Sequence, residues 1–402
     1  MTIAVLGMLE KRGKEIEYLR GCIERKGHRT IVVDLGRESE SQIEADITRG
    51  QIAKRAGMTA EEIKALPRHE GQEVVLKGLL PIIRDLYEKG ELRAAICLGG
   101  TTTAYMASVA MGELPFGVPK FIICSAAAAP PARRWLAKKD IVLMNTVVHV
   151  IGNNWMIRGL TQQAAAAVCA MMEAPPVVPV KSKIGTVAMT LYGNAERCAM
   201  YVREGLEEKG YQVVSFHAYG PGEESMEDMV SKGIFDAVID LVPRRVGEFL
   251  FKRAHGFKNA LKPICQSGIP YILAPGGINL LSVAAYQKSD FKGRKIFAMD
   301  PYRFLTHMNK EEMVRLGEEM SNRLSEAKGP VRFIIPVRGW STADSVGSEM
   351  YDPEADKAFT EALRKKCKKG IEIREVEAWL EEQKFAEEIV AAFDEVMAER
   401  TA

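Results

Sequence analysis

The sequence lacks the marks by which many functions are recognised. It has no CxxC pair and no close grouping of cysteine with histidine, which removes the usual zinc-ligand spacings. Neither the phosphate-loop pattern G-x-x-x-x-G-K-S/T nor the dinucleotide pattern G-x-G-x-x-G occurs. No apolar run is long enough to span a bilayer. Neither charge sign dominates: 55 basic and 53 acidic residues leave a net charge of +2, which argues against a nucleic acid or membrane surface gripped by a broad basic field. The seven cysteines (Cys22, Cys97, Cys124, Cys169, Cys198, Cys265 and Cys367) are scattered, and several sit inside apolar patterns where a free thiol behaves as a small hydrophobe. An odd, dispersed set suits a reducing compartment, and no charged segment precedes the first apolar run, so the expectation is a cytoplasmic protein.

What the chain does have is a beginning written twice. Ile3–Gly36 recurs in degraded form as Thr186–Gly220. Slid by 183 positions, Arg20 falls on Arg203, Glu24 on Glu207, Lys26 on Lys209 and Gly27 on Gly210. Each copy reads as apolar strand, polar turn, amphipathic helix, glycine stop and second strand. That is the opening of an open α/β sheet, which binds ligands at its strand ends. At 402 residues the chain exceeds one ordinary core. The expected architecture is therefore two Rossmann-like α/β domains with mostly parallel sheets, related by an internal repeat. The first would cover 1–178 and the second 184–402. The proline-bearing stretch Glu173–Lys183 reads as the linker. In the second domain the pattern predicts strands at Ile184–Thr190, Gln212–His217, Ala237–Val242, Tyr271–Ala274, Lys295–Met299, Arg332–Val337 and Ile371–Val376.

Chemistry is expected where glycines and polar groups follow strands. Gly99-Gly100-Thr101-Thr102-Thr103 follows a buried strand and opens a helix. Free helix amides, close backbone approach and hydroxyls together make a phosphate or carboxylate site. A plain strand-to-helix turn with threonine caps is the competing account. The first turn, Gly7 to Gly13, lies at the matching rim, with Lys11 and Arg12 able to hold phosphate and Glu10 a metal or a ribose hydroxyl. A solvated loop explains it equally. In the second domain His217 precedes the loop Tyr219-Gly220-Pro221-Gly222, where a histidine can act as acid or base near neutral pH. A hydrogen-bonded strand-end histidine is the alternative. Asp240, Arg244, Arg245, Gly276-Gly277 and the Arg338–Asp344 loop gather at the same rim. His255 and His307 show no metal-ligand spacing and read as structural or surface groups. The sequence gives no metal site.

At these motifs the chain resembles a largely uncharacterised family typified by the ATP-binding N-terminal region of the tomato mosaic virus resistance protein. The family pattern G-T-x-D-T-K-G-x-E resembles Gly7–Glu15, and G-x-G-G-S-G-G-T resembles Cys97–Ala104. Further echoes are Pro119-Lys120, Gly152 and Asn154, Phe216-His217-Ala218, Gly220, Met226-Glu227, Asp240-Leu241 and Asp352-Pro353-Glu354-Ala355-Asp356. Here Met8, Leu9 and Glu10 replace the family's Thr-x-Asp, and Thr102 and Thr103 replace two glycines. The resemblance implies two α/β domains, ATP or a related nucleotide in the first (with magnesium as its companion ion) and a homodimer. Gly7, Glu10, Lys11, Gly99, Gly100, Thr101, Thr102, Ser125 and Asn154 are the positions it implies for that ligand.

Three functions follow as expectations. The first is binding of ATP or a related phosphorylated molecule in the N-terminal domain. The second is an enzyme for a small carboxylated or phosphorylated metabolite in a cleft between domains, with His217, Asp240, Arg244, Arg245 and Asp344 as its candidates. The third is a non-catalytic, ligand-dependent scaffold.

Overall fold

Uninterrupted apolar runs such as Ala94–Leu98 suit strands covered on both faces, and parallel sheets of such strands carry both units of the chain. The computed structural model describes residues 1–128, 139–175, 177, 182, 184–253, 256–283, 291–301, 303–368 and 370–401. His255 lies outside the described residues, as does part of the linker. The chain divides into two units, Met1–Pro179 and Val180–Ala402.

The first unit runs β1 (Thr2–Gly7), α1 (Leu9–Glu24), β2 (Arg29–Asp34), α2 (Arg49–Ala56), α3 (Ala60–Ala65), α4 (Arg68–Glu88), β3 (Ala94–Gly99), α5 (Thr101–Met111), β4 (Lys120–Cys124), β5 (Val142–Asn145) and α6 (Trp155–Glu173). The sheet order is β2-β1-β3-β4-β5, with every pairing parallel. Alternation in β1 sends Ile3 and Val5 to the face where Ile16, Leu19 and Ile23 of α1 pack with Ala164 and Val168 of α6. Ala4 and Leu6 face the other way, toward α2, α4 and α5. The polar stretch Asp46–Leu66 holds two helices. Thr48 and Thr59 each begin one with a capping box. At the foot of β4, Lys120 is fully buried. Its ammonium donates to the carbonyls of Pro115 and Val118 and to Asp140, each at 2.8 Å.

The second unit runs β6 (Thr186–Leu191), α7 (Glu196–Glu208), β7 (Gln212–His217), α8 (Pro221–Ser231), β8 (Ala237–Asp240), α9 (Arg245–Leu250), α10 (Lys262–Ser267), β9 (Tyr271–Leu273), β10 (Leu280–Val283), β11 (Phe297–Ala298), β12 (Phe304–His307), α11 (Lys310–Leu324), β13 (Val331–Pro336), β14 (Gly339–Ser341), β15 (Asp344–Ser345), α12 (Pro353–Lys366), β16 (Ile371–Val376) and α13 (Gln383–Thr401). Its sheet order is β16-β13-β9-β8-β6-β7, again parallel throughout. Counted from each unit's own first strand, both sheets begin 2-1-3-4-5. Helices α7 and α13 cover one face, and α8 to α12 cover the other.

The run Lys295–Met299 is not a strand of this sheet. Only Phe297–Ala298 is extended, and it pairs antiparallel with β12 in a separate sheet, β10-β12-β11. Phe297 is exposed, so the segment has no cover for a second face. Six of the seven cysteines are buried and Cys367 is half-buried. Burial pushes the Cys265 thiol up to about 12, which keeps it protonated and in the role of a hydrophobe. No helix among the described residues is long and apolar enough to cross a membrane.

Candidate functional sites

In a sheet of order 2-1-3-4-5, growth reverses between the first and third strands, and the turns leaving those strands flank a crevice at their carboxyl ends. In the first unit these are the turns after β1 and β3. Helix α5 begins directly at Thr101, with Gly100 as an extended N-cap that offers no side chain. No side chain among the described residues accepts from the amides of Thr101, Thr102 or Thr103. Three donors at a helix N-terminus are thereby left free, at its positive end. A Cβ on Gly100 would meet nothing within 4 Å. Thr101 is exposed, and the Thr102 hydroxyl accepts from Arg68 Nη2 at 3.4 Å. Arg68 opens α4, and nothing in its sequence neighbourhood marks it as part of this turn.

The other positions expected here have different employment. A Cβ on Gly7 would stand 2.5 Å from Ile16 Cδ1, and one on Gly99 would stand 2.6 Å from Thr103 Cβ. Both glycines permit helix packing. Glu10 is buried, and its Oε2 accepts from the amides of Glu38 and Ser39 at 2.7 Å each. Lys11 lies 2.7 Å from Glu38, and its hydrogen bond to Glu38, helped by Arg68 and Arg37, holds that carboxyl below its usual range. Asp34 anchors the same loop, accepting from Leu9 N at 3.1 Å and Gly36 N at 2.8 Å. Asn154 caps α6, accepting from Met156 N and Ile157 N at 3.1 Å. Ser125 is a half-buried turn residue after β4.

In the second unit two of the expected site residues are sealed into a structural network. Asp240 and Arg245 are fully buried, with Arg245 Nη2 2.7 Å from Asp240 Oδ2. Arg245 also binds Glu227 at 2.7 Å and Glu223 at 3.0 Å. Asp240 receives Tyr271 Oη at 2.7 Å and Thr190 Oγ1 at 2.6 Å. One guanidinium thus serves three carboxylates. Burial, only partly offset by Arg245, raises Glu223 to about 7. His217 is exposed and sits among rings, 5.3 Å from Tyr192 and 6.0 Å from Tyr219. Partial burial, then the charge of Arg303, lowers its pKa.

Arg244 has a positioning task. It is buried, and its Nη2 donates to the carbonyl of Leu280 at 3.0 Å and to Glu248 at 3.1 Å, which pins the turn from Gly276 to Asn279. Gly277 (φ +58) brings that turn against Asn194: a Cβ there would stand 2.5 Å from Asn194 Nδ2. Asn194 is buried with both amide atoms unpartnered.

The same turn ends in Asn279, which the sequence did not single out. Asn279 and Asp344 are fully buried and Asp356 nearly so. Asn279 Nδ2 donates to Asp344 Oδ2 at 2.5 Å and to Asp356 Oδ1 at 3.0 Å. His307, read from the sequence as structural or surface, is neither remote nor exposed. It is mostly buried, with Nε2 3.7 Å from Asp356 Oδ1. Ligand-type atoms of His307, Asp344 and Asp356 all lie within 4.8 Å of one another. Burial raises both carboxyls, and for Asp356 the charge of Asp344 adds to it. Asp344, a candidate from its strand-end loop, and the run Asp352–Asp356, noted for its resemblance, were the sequence signals here. Asn279 and His307 carried none.

Comparison with known proteins agrees along the whole chain. The N-terminal domain of the uncharacterised protein family UPF0261 matches residues 1–176, and the C-terminal domain of that family matches residues 185–397. A UPF0261 protein of Clostridium tetani (strain Massachusetts / E88) is 29% identical over 391 residues, 96% of each chain. The ToMV susceptible protein tm-1(GCR26) of Solanum lycopersicum is 27% identical over 307 residues, covering 74% of this chain and 41% of the tomato protein. Among solved structures, the UDP-GlcNAc 2-epimerase from Neisseria meningitidis bound to UDP-GlcNAc aligns over 99% of this chain and 91% of its own at 10% identity. The TM-score of 0.23 is too low to speak to function. With both halves matched, the chain belongs to the uncharacterised protein family UPF0261.

Proposed function

We propose that the N-terminal unit binds ATP or a related nucleotide, or another phosphorylated small molecule, at the turn between β3 and α5. The observation that carries this reading is the uncapped start of α5: three free amides at the positive end of an 11-residue helix, with Arg68 resting on Thr102. Phosphate oxygens there would accept from the amides of Thr101 to Thr103 and from the Arg68 guanidinium. Lys11 of the neighbouring turn, paired with Glu38 here, would reach the phosphates by leaving that carboxylate, and magnesium would accompany a triphosphate as its counter-ion. The resemblance to the tomato resistance protein's ATP-binding region supports the same assignment.

Calorimetric titration with ATP, ADP and AMP, each with and without magnesium, tests it. Binding is expected for at least one nucleotide, weakened about tenfold or more in Arg68→Ala, the loss of one charge-assisted contact. No heat from any of the three overturns the nucleotide. No heat from inorganic phosphate either overturns the anion site. The reading also places the protein in the cytoplasm, in keeping with seven unpaired thiols, and expects a homodimer, which sedimentation would detect.

A second reading, an enzyme for a small carboxylated or phosphorylated metabolite, is favoured by one feature of the C-terminal unit. Asn194 and Arg244 occupy the turns after β6 and β8, the reversal point of that sheet, and Asn194 is buried without partners. Product analysis of metabolite mixtures incubated with wild-type protein and with Asn194→Ala would separate this from ligand binding alone.

A further inference from the structure

We propose that the C-terminal unit holds a divalent first-row transition-metal cation between His307, Asp344, Asp356 and Asn279. Four segments of the fold converge there: the turn after β9 brings Asn279, the end of β12 brings His307, β15 brings Asp344, and the first turns of α12 bring Asp356. Ligand-type atoms of the histidine and the two aspartates lie within 4.8 Å of one another. Atoms bound to one ion at 2.0–2.2 Å stand roughly 3 to 4 Å apart along the edges of the coordination polyhedron. The observed 3.7 Å from His307 Nε2 to Asp356 Oδ1 falls in that range, and the Asn279 amide holds the two carboxylates beside each other by donating to both.

The satisfaction of the buried groups points independently to a cation. His307 Nε2, Asp344 Oδ1 and Asn279 Oδ1 have no hydrogen-bond partner, and Asn279 and Asp344 are fully buried. His307 Nδ1 lies 2.6 Å from the carbonyl of Met308. A carbonyl only accepts, so Nδ1 carries a proton, and in the neutral ring that leaves a lone pair on Nε2. All three orphaned atoms are therefore acceptors. The cluster is short of donors and of positive charge, and a bound cation supplies both needs at once.

The surroundings resemble those that hold metal ligands in place. The Nδ1–H to backbone carbonyl bond fixes the ring and its tautomer, the usual outer support of a metal-bound histidine. Trp340 N donates to Asp344 Oδ2 at 3.2 Å. Met308 N donates to the carbonyl of Asn279 at 2.8 Å, so the histidine segment and the asparagine turn are tied together. Leu280, Leu305, Ala343 and Met350 form an apolar cluster from the residues beside these ligands, which keeps the local dielectric low. Imidazole with two carboxylates favours manganese or zinc over magnesium or calcium, which take oxygen alone.

The proposal does not rest on nucleotide binding, and its test omits nucleotide. The full chain is stripped with a chelator, desalted, and titrated by calorimetry with Mn2+ and with Zn2+. One equivalent of one of them is expected to bind. Affinity should fall about 100-fold in His307→Ala and in Asp344→Asn, since each removes a direct ligand. The Mn2+ complex should give an electron paramagnetic spectrum that broadens on binding in the wild type and stays free-ion-like in both variants. No binding of either cation by the wild type overturns the proposal, whatever the variants do. So does binding that His307→Ala and Asp344→Asn, each with wild-type circular dichroism, leave unchanged. A site that takes Mg2+ but neither transition metal overturns the role given to His307.

Discussion

Arg245 Nη2 stands 2.7 Å from Asp240 Oδ2 with neither side chain exposed, and the same guanidinium reaches Glu223 and Glu227 on α8. A strand end, a helix start and a neighbouring helix are thereby locked by one cation. Arg245→Met should destabilise the protein by about 3–5 kcal/mol, because it strands buried carboxylates without compensation. Urea denaturation of the variant would measure this. A loss under about 1 kcal/mol would mean that water enters and screens the carboxylates, removing the penalty on which this figure rests.

The same network sets a pH dependence. Glu223 titrates at about 7 in the folded protein against 4.5 when unfolded. Between those values the folded state keeps a proton that the unfolded state has lost. The stabilisation is full below about 4.5 and is lost as pH rises through about 7. Glu223→Gln keeps a neutral group at every pH, so its urea midpoint should fall less steeply than that of wild type across this window. Parallel slopes for the two proteins would contradict the shift.

Gly100→Asp separates helix stability from anion binding. The position is extended, with open space for a side chain, and aspartate is a preferred N-cap. The new carboxylate should accept from the free amides of α5 and raise stability by about 0.5 kcal/mol. It should also abolish phosphate binding, by occupying the donors and repelling the ligand. A higher melting temperature with unchanged nucleotide affinity would place the ligand elsewhere.

Asp34→Ala should release the loop that Glu10 and Asp34 hold together. Two backbone amides, Leu9 N and Gly36 N, lose their acceptor in a buried setting, at a cost of about 1–3 kcal/mol. Hydrogen exchange should quicken at Gly36, Glu38 and Ser39. Unaltered protection there would show that Glu10 alone fixes the loop.

The central parallel strands were legible because each holds a contiguous apolar run, as at Ile3–Leu6 and Ala94–Leu98, and burial on both faces demands such a run. The antiparallel additions were not. Leu280–Val283 is short, and Phe297–Ala298 owes its extension to pairing with Phe304–Leu305 rather than to pattern. Among site residues, the free turn at Thr101 to Thr103 follows from two glycines before a helix. Asp240 and Arg245 looked available because charge at a strand end usually faces solvent. Their partners Glu223, Glu227 and Tyr271 are distant in sequence, so the closure of that network cannot be read from spacing. Asn279, His307 and Asp356 come from three separate segments and share no motif, for the same reason.

Both sheets begin with one strand order, so each half of the molecule has its own reversal point. At the first, the amides of Thr101 to Thr103 have no side-chain acceptor among the described residues, while beyond the second, past β9, the cluster of His307, Asp344 and Asp356 leaves lone pairs unpartnered. For anyone measuring stoichiometry the consequence is one of counting. Should both proposals hold, titration curves on this chain would call for two classes of sites, one filled by an anion and one by a cation.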